Sequence, residues 1–208
     1  MTTKNTVSSR TPGPAPRAGR PRDPASDRAI LAAAFELLRD IGYQGLSIEA
    51  VAAAAGVAKT TIYRRYASKR ELVVAALLAG TAFPPPPADP GTRDALRELV
   101  HQGVGMLLRA RAVRILASFL SEEEREPELM AAFRERIVEP RRAMLTRVLR
   151  AGIERGEVRP DADIDLVSEM VLGSVIAHHV RTGRLPDDRW MESLVEALLR
   201  SVEARPNA

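Results

Sequence analysis

Between residues 59 and 66 the chain reads Lys59-Thr60-Thr61-Ile62-Tyr63-Arg64-Arg65-Tyr66, three cations, two hydroxyls and two phenols around one aliphatic side chain. This set is suited to duplex DNA. An arginine makes a bidentate contact to guanine, and a threonine offers a hydroxyl and a methyl for thymine. Lysine and tyrosine more often reach phosphates, which sets register and supplies salt-dependent affinity. Lys69 and Arg70 follow at the predicted start of another helix, where the helix dipole disfavours cations. That conflict disappears once a phosphate occupies the helix end.

Such side chains need elements that aim them, and the flanking residues supply them. Ser47 is a good N-cap. Leu46 before it and Val51 after it form the two ends of a hydrophobic staple. The helix between Ser47 and Gly56 is mostly alanine, which favours helix and keeps it thin, so a second helix can cross closely. Gly56 stands where a C-cap with positive φ is wanted. Val57 and Ile62 then hold the second helix onto the first, and Ser68-x-x-Glu71 reads as a capping box that opens the next. A serine cap or a basic helix face alone marks many ordinary helices. Together they have the order of parts of a helix-turn-helix.

With those residues in view, the chain resembles TetR-type transcriptional regulators. Gly56-Val57-Ala58-Lys59-Thr60-Thr61-Ile62-Tyr63-Arg64-Arg65-Tyr66 with Ser68-Lys69-Arg70-Glu71-Leu72 is similar to that family's signature. Upstream, Ala33-Ala34-x-Glu36-Leu37-Leu38 and Gly42-Tyr43-x-Gly45-Leu46-Ser47 are similar to its first helix and exit. The resemblance is specific over about residues 25–80. It implies an all-α homodimer with an N-terminal three-helix DNA-binding domain and a C-terminal helical ligand-binding and dimerisation domain, most often a repressor released by a small molecule. Carried over by position, it implies phosphate contacts for Ser47 and Lys69, a phosphate or sugar contact for Tyr63, and base or nearby backbone contacts for Lys59, Thr60, Thr61 and Arg64. Tyr66 joins this set as an outward phenol. Three departures stand out. Ala58 replaces a frequent serine, which removes a cap at a cost of about 1 kcal/mol. Thr60 occupies a place often held by glycine, and Arg65-Tyr66 replaces a common His-Phe pair.

The composition agrees with this assignment. The 208 residues are 45% apolar, enough for one or two cores. There is no cysteine, which excludes disulfides and thiolate sites and suits a reducing cytoplasm. The N-terminal stretch has no apolar segment of the signal-peptide kind. The longest apolar run, near residues 72–79, is far shorter than the roughly 18 residues of a membrane span. A cytoplasmic protein without a membrane partner is expected. Residues 1–80 hold 12 Lys+Arg against 6 Asp+Glu, a net +6, and the remainder is −2 (19 against 21). The positive excess therefore lies in the N-terminal 80 residues, arm and reader together.

The predicted organisation has three parts. Residues 1–22 read as a disordered basic arm carrying Arg17, Arg20 and Arg22, either following DNA or simply solubilising. Residues 23–83 form the helix-turn-helix domain: Asp23-Pro24 starts a bracing helix that Gly42 ends, and the helix opened by Ser68 stops at the proline run after Phe83. Residues 91–205 form the regulatory and dimerisation domain. Its helices are expected near 92–109, 111–120, 127–155, 163–181 and 188–204, with Pro140 kinking or breaking the third and Glu122 and Glu123 in a solvated acidic run.

Two further surfaces follow. Met106, Leu107, Ile115, Phe119, Met130, Phe133 and Met144 are candidates to line a cavity for a small lipophilic ligand, or else are plain core. Val167, Val171, Ser174 and Val175, with Gly173 and Ala177 permitting close approach and Trp190, Leu194 and Leu198 opposite, suit an isologous four-helix interface, or else pack within their own domain. His101, His178 and His179 have no metal-binding spacing, and no cofactor is expected. No phosphate loop, serine elbow or zinc-binding His pair points to an enzyme. The expected function is that of a sequence-specific DNA-binding repressor released by a small-molecule effector. The expected partners are double-stranded operator DNA, a second copy of the chain and that effector. The alternative is a DNA-binding dimer without an inducer, architectural or partner-recruiting.

Overall fold

The computed structural model describes residues 23–81 and 91–204 except Ala110, with backbone alone at 106–109. The expectations for Arg17, Arg20, Arg22, the proline run after Phe83 and the side chains of Met106 and Leu107 lie outside the described residues.

Those residues are helical, with one isolated antiparallel bridge between Val158 and Glu203. The first helix, α1, spans Pro24–Gly45; Asp23 caps it by accepting from the Ala25 amide at 3.0 Å. Gly42 interrupts it at φ 72° and ψ −177°, a conformation open essentially to glycine alone. The α2 (Ile48–Ala55), α3 (Lys59–Tyr63) and α4 (Lys69–Gly80) helices complete the reader. Beyond it come α5 (Thr92–Arg109), α6 (Ala112–Leu120), α7 (Pro127–Phe133), a π turn (Arg134–Val138), α8 (Glu139–Glu154), α9 (Ile164–Thr182) and α10 (Asp188–Val202).

Of the kink or break expected at Pro140, the break does not occur. The backbone stays helical at Phe133, Arg134, Val138 and Glu139, and the disturbance is confined to the π turn, where the Glu139 amide donates to Arg134 O. Widening one turn ahead of a residue that has no N–H and a bulky ring lets the helix pass through.

Apolar packing does not divide where the chain does. One core joins Ile30, Leu38, Val51, Ile62, Leu72 and Leu77 of the reader to Ile115, Phe119, Leu129, Met130 and Ile137 of α6, α7 and the π turn. The other gathers Leu96 and Val100 of α5, Leu149 of α8, and Val195 and Leu198 of α10. The reader thus rests on part of the following domain.

A polar knot closes the second core. Glu157 accepts from the Thr92 amide at 2.8 Å and from Arg155 Nε at 2.9 Å, while the Arg159 amide donates to Val202 O at 2.9 Å. The start of α5 and the end of α10 are thereby tied to one segment. The Arg155 and Thr92 hydrogen bonds hold the Glu157 carboxyl down to about 2, from an ordinary 4.5. A depressed carboxyl stabilises the fold above its unfolded value and ceases to do so as pH falls through the folded one. Stability is therefore expected to drop between pH 4.5 and pH 2, and Glu157→Gln to lower the melting temperature at pH 7 while flattening that acid limb. Circular-dichroism melts across pH check both outcomes.

Candidate nucleic-acid interface and effector cavity

The approach of α2 to α3 is set by caps. Ser47 Oγ accepts from the Ala50 amide at 3.1 Å, and Leu46 and Val51 are buried on either side of it. Gly56 is left-handed, at φ 65° and ψ 33°, and the Val57 amide returns to Ala52 O at 3.0 Å. An added Cβ at Gly56 would meet nothing within 4 Å, so its conformation, not space, demands glycine. Ala58 makes no side-chain cap.

Ile62 is 0% exposed against α2 and fixes the rotation of α3. Lys59, Thr60, Tyr63 and Arg64 then face solvent, with Tyr63 55% exposed and Thr61 half-buried. Lys59 Nζ lies 2.9 Å from Glu49 Oε1 across the turn. This exposed pair is easily exchanged for a phosphate.

Arg65 and Tyr66 correct the sequence reading. Tyr66 is only 8% exposed, and its hydroxyl donates to Asp27 Oδ1 at 2.9 Å. Burial first, and then the Asp27 hydrogen bond, push this phenol up to about 12. The Arg65 side chain, 10% exposed, lies 3.4 Å from the same carboxylate and donates to Asp23 O at 3.3 Å. Both residues tie the end of the recognition helix to the first turn of α1 and do not point outward. Asp27, the acid that receives them, was not predicted as a site residue; its only sequence signal is an acid in a first helical turn.

At the start of α4, Ser68 Oγ accepts from the Glu71 amide at 3.1 Å. The Glu71 carboxylate reaches back to the Ala67 amide at 2.7 Å, one residue beyond the Ser68 amide of the reciprocal box expected. Lys69 is half-buried, with Nζ 4.3 Å from the Tyr43 ring centroid and 3.5 Å from Gln44 O. Burial lowers its pKa against the pull of Glu126 and Glu122. These acids do not form a solvated run. The Tyr43 hydroxyl donates to Glu126 Oε2 at 2.5 Å, Gln44 donates to buried Glu122, and Glu123 pairs with Arg134. The loop between α6 and α7 therefore grips the elbow of the reader beside a predicted phosphate ligand.

A cavity of about 790 Å³ opens among α5, α6, the π turn, α8 and α9. Ile115, Phe133 and Met144 line it as expected. Phe119 and Met130 do not; they are buried in the shared core, where Phe119 packs edge-on to Tyr43 and Phe133. Val171 and Val175, expected at a subunit interface, line the cavity instead. Val167, Leu194 and Leu198 are buried in their own chain's second core. Ser174 remains half-buried. Trp190 is also half-buried, edge-on to His178 at 4.9 Å. His101 lies 3.2 Å from Glu192, and His179 Nδ1 lies 3.3 Å from Arg184 O. Arg141 also lines the cavity, a cation that sequence periodicity did not single out.

Residues 30–76 match the family model described as bacterial regulatory proteins, tetR family. Residues 86–198 match the tetracyclin repressor-like C-terminal domain. A DNA-binding transcriptional repressor TetR of Mycobacteroides abscessus is 34% identical over 184 residues, covering 86% of this chain and 94% of that one. An uncharacterized HTH-type transcriptional regulator of Bacillus subtilis, YdeS, is 28% identical over 188 residues, 89% of this chain and 94% of its own. The crystal structure of the TetR family transcription regulator SCO0332 superposes with a TM-score of 0.62 at 30% identity, covering 85% of this chain and 98% of that one.

The placement of Tyr66 has a direct test. Tyr66→Phe should cost about 1 kcal/mol of stability, the usual worth of one such hydrogen bond, and leave affinity for duplex DNA unchanged. Urea unfolding and a gel shift on the same preparation check this; lost DNA affinity at full stability would put the hydroxyl on the duplex.

Proposed function

Since the chain belongs to the TetR family of transcriptional regulators, we propose that its residues 23–83 read operator DNA through α3 while residues 91–205 bind an effector and a second copy of the chain. The protein is a DNA-binding transcriptional regulator, not an enzyme, and the family acts on operators as dimers with small-molecule effectors. The observation that carries the residue-level reading is the fixed rotation of α3. With Ile62 buried, Lys59, Thr60, Tyr63 and Arg64 share the solvent side, and an α-helix with that face fits a major groove. Thr61 flanks them, and Ser47 and Lys69 reach phosphates on either side. In Lys69 the ammonium leaves the Tyr43 ring for the stronger anion.

The dimer contact belongs to a different face of α9 from the one the sequence suggested. Leu166, Met170, Gly173, Ala177 and Val180 recur at spacings of 4, 3, 4 and 3, one stripe of a helix. Leu166 and Val180 are exposed, the latter 77%, and an added Cβ at Gly173 would meet nothing within 4 Å. An apolar stripe with a small centre lets a second α9 approach closely about a twofold axis. Two readers so joined span half-sites about 34–36 Å apart. The effector is a small molecule held in the cavity lined by Ile115, Phe133 and Met144; it favours the arrangement in which the two readers miss successive grooves.

A gel-shift titration on the DNA beside its own coding sequence, repeated across salt, tests the reader. Lys69→Ala should weaken specific and random duplexes alike and reduce the salt slope by about 1, whereas Arg64→Ala should also change sequence preference. Equal losses on both duplexes for Arg64→Ala would make it a phosphate contact. Sedimentation tests the interface: the protein should run as a dimer at micromolar concentration, and Leu166→Asp with Val180→Asp as a folded monomer with weakened operator binding. A dimer that survives both charges would exclude this face.

A further inference from the structure

Residues 23–81 contain six acids, and five of them are bonded to groups outside the solvent face of α3. Asp23 caps α1, Asp27 holds Tyr66 and Arg65, Glu36 and Asp40 pair with Arg39, and Glu71 meets the Ala67 amide. Glu49 is different. It stands exposed in the first turn of α2, with Oε1 2.9 Å from Lys59 Nζ on α3. The positive end of α2 accounts for an acid at that place, but not for its reach across the turn to an outward cation. Against a polyanion, an exposed carboxylate here costs affinity unless the duplex offers it a donor.

The hydrogen bond from Lys59 holds the Glu49 carboxyl below its ordinary value, so it is ionised and can only accept. Lys59 can only donate. The two atoms thus present an acceptor beside a donor, 2.9 Å apart. In the major groove a G·C pair shows the reverse, for the N4 amine of cytosine donates while O6 and N7 of guanine accept. N4 and O6 are hydrogen-bonded to each other, which sets them about 3 Å apart. The spacings agree. An A·T pair also has two acceptors, but they flank the adenine amine, so lysine reaches only one of them. Recognition helices of this motif touch base edges with their N-terminal residues, and Lys59 is the first residue of α3. Resting on the reading of α3 as the recognition helix, we propose that Glu49 determines specificity: the Glu49–Lys59 pair docks intact on one G·C pair in each half-site. Glu49 accepts from cytosine N4, and Lys59 donates to guanine O6 and N7.

Selection from a random duplex library by the full chain and its variants, followed by gel shifts, tests the assignment. Sites enriched by the unaltered protein should hold a fixed G·C pair in each half, and changing it to A·T should weaken binding roughly tenfold. Glu49→Ala should reduce that ratio to within about twofold and keep the preferences at every other position, which also shows that the variant is folded. Lys59→Ala should abolish the same preference and no other. Glu49→Gln, an amide suited to adenine, should move the choice at this pair towards A·T. An unchanged ratio in Glu49→Ala overturns the proposal. So does tighter binding of that variant to all duplexes with the same preferences, which would make the carboxylate a mask over Lys59. The same selection separates this contact from the reader it depends on. If the unaltered protein enriches no sequence, both fail; if it enriches sites that ignore Glu49, α3 stands as the reader and only the base contact is lost.

Discussion

The apolar core shared by the reader and the helices after it governs the rest of the structure. Phe119 is fully buried between Tyr43 of the reader and Phe133 beside the π turn. Ile137, in the same core, also lines the cavity. A change in the cavity and a change in the reader thus meet in one packed body, and interiors packed this closely transmit displacement rather than absorb it. The polar grip of Glu126 on Tyr43 and Glu122 on Gln44 sits at the rim of that body. It makes the angle of the reader a property of the whole subunit.

Much of this was legible because it is local. Ser47, Gly56 and Ser68 announce their caps through neighbours three or four residues away, and Gly42 its interruption through its own backbone. The outward cations of α3 follow from the inward Ile62. What the sequence did not reveal depends on partners far along the chain. Tyr66 and Arg65 looked outward by composition, but Asp27, 39 and 38 residues upstream, turns them in. Glu122 looked solvated in an acidic run, yet Gln44, 78 residues away, holds it. Apolar periodicity shows that a stripe is buried without saying by what. For that reason the inward residues of α9 and α10 suggested a subunit interface, while of the stripe through Leu166 and Val180 only Gly173 and Ala177 were legible, as points of close approach.

The cavity shows the same limit in another form. Met, Phe and Ile were sound choices for apolar walls, and Ile115, Phe133 and Met144 do face the space. Phe119 and Met130 have the same chemistry but fill the joint with the reader. Arg141 and Arg142 are adjacent and identical in type, and only the fold distinguishes the inner cation from the one at the mouth.

The π turn before Pro140 bears on how such a cavity changes over time. Each extra residue in a helical turn swings everything downstream by about 100°. Removing one residue between Arg134 and Val138 would therefore leave α8 intact as a rod while presenting a different set of side chains inward. Arg141, Met144 and Leu145 would leave the chamber together. A chain with this turn lengthened or shortened would thus acquire a new chemical preference in a single genetic event, with the sequence of the recognition helix unchanged.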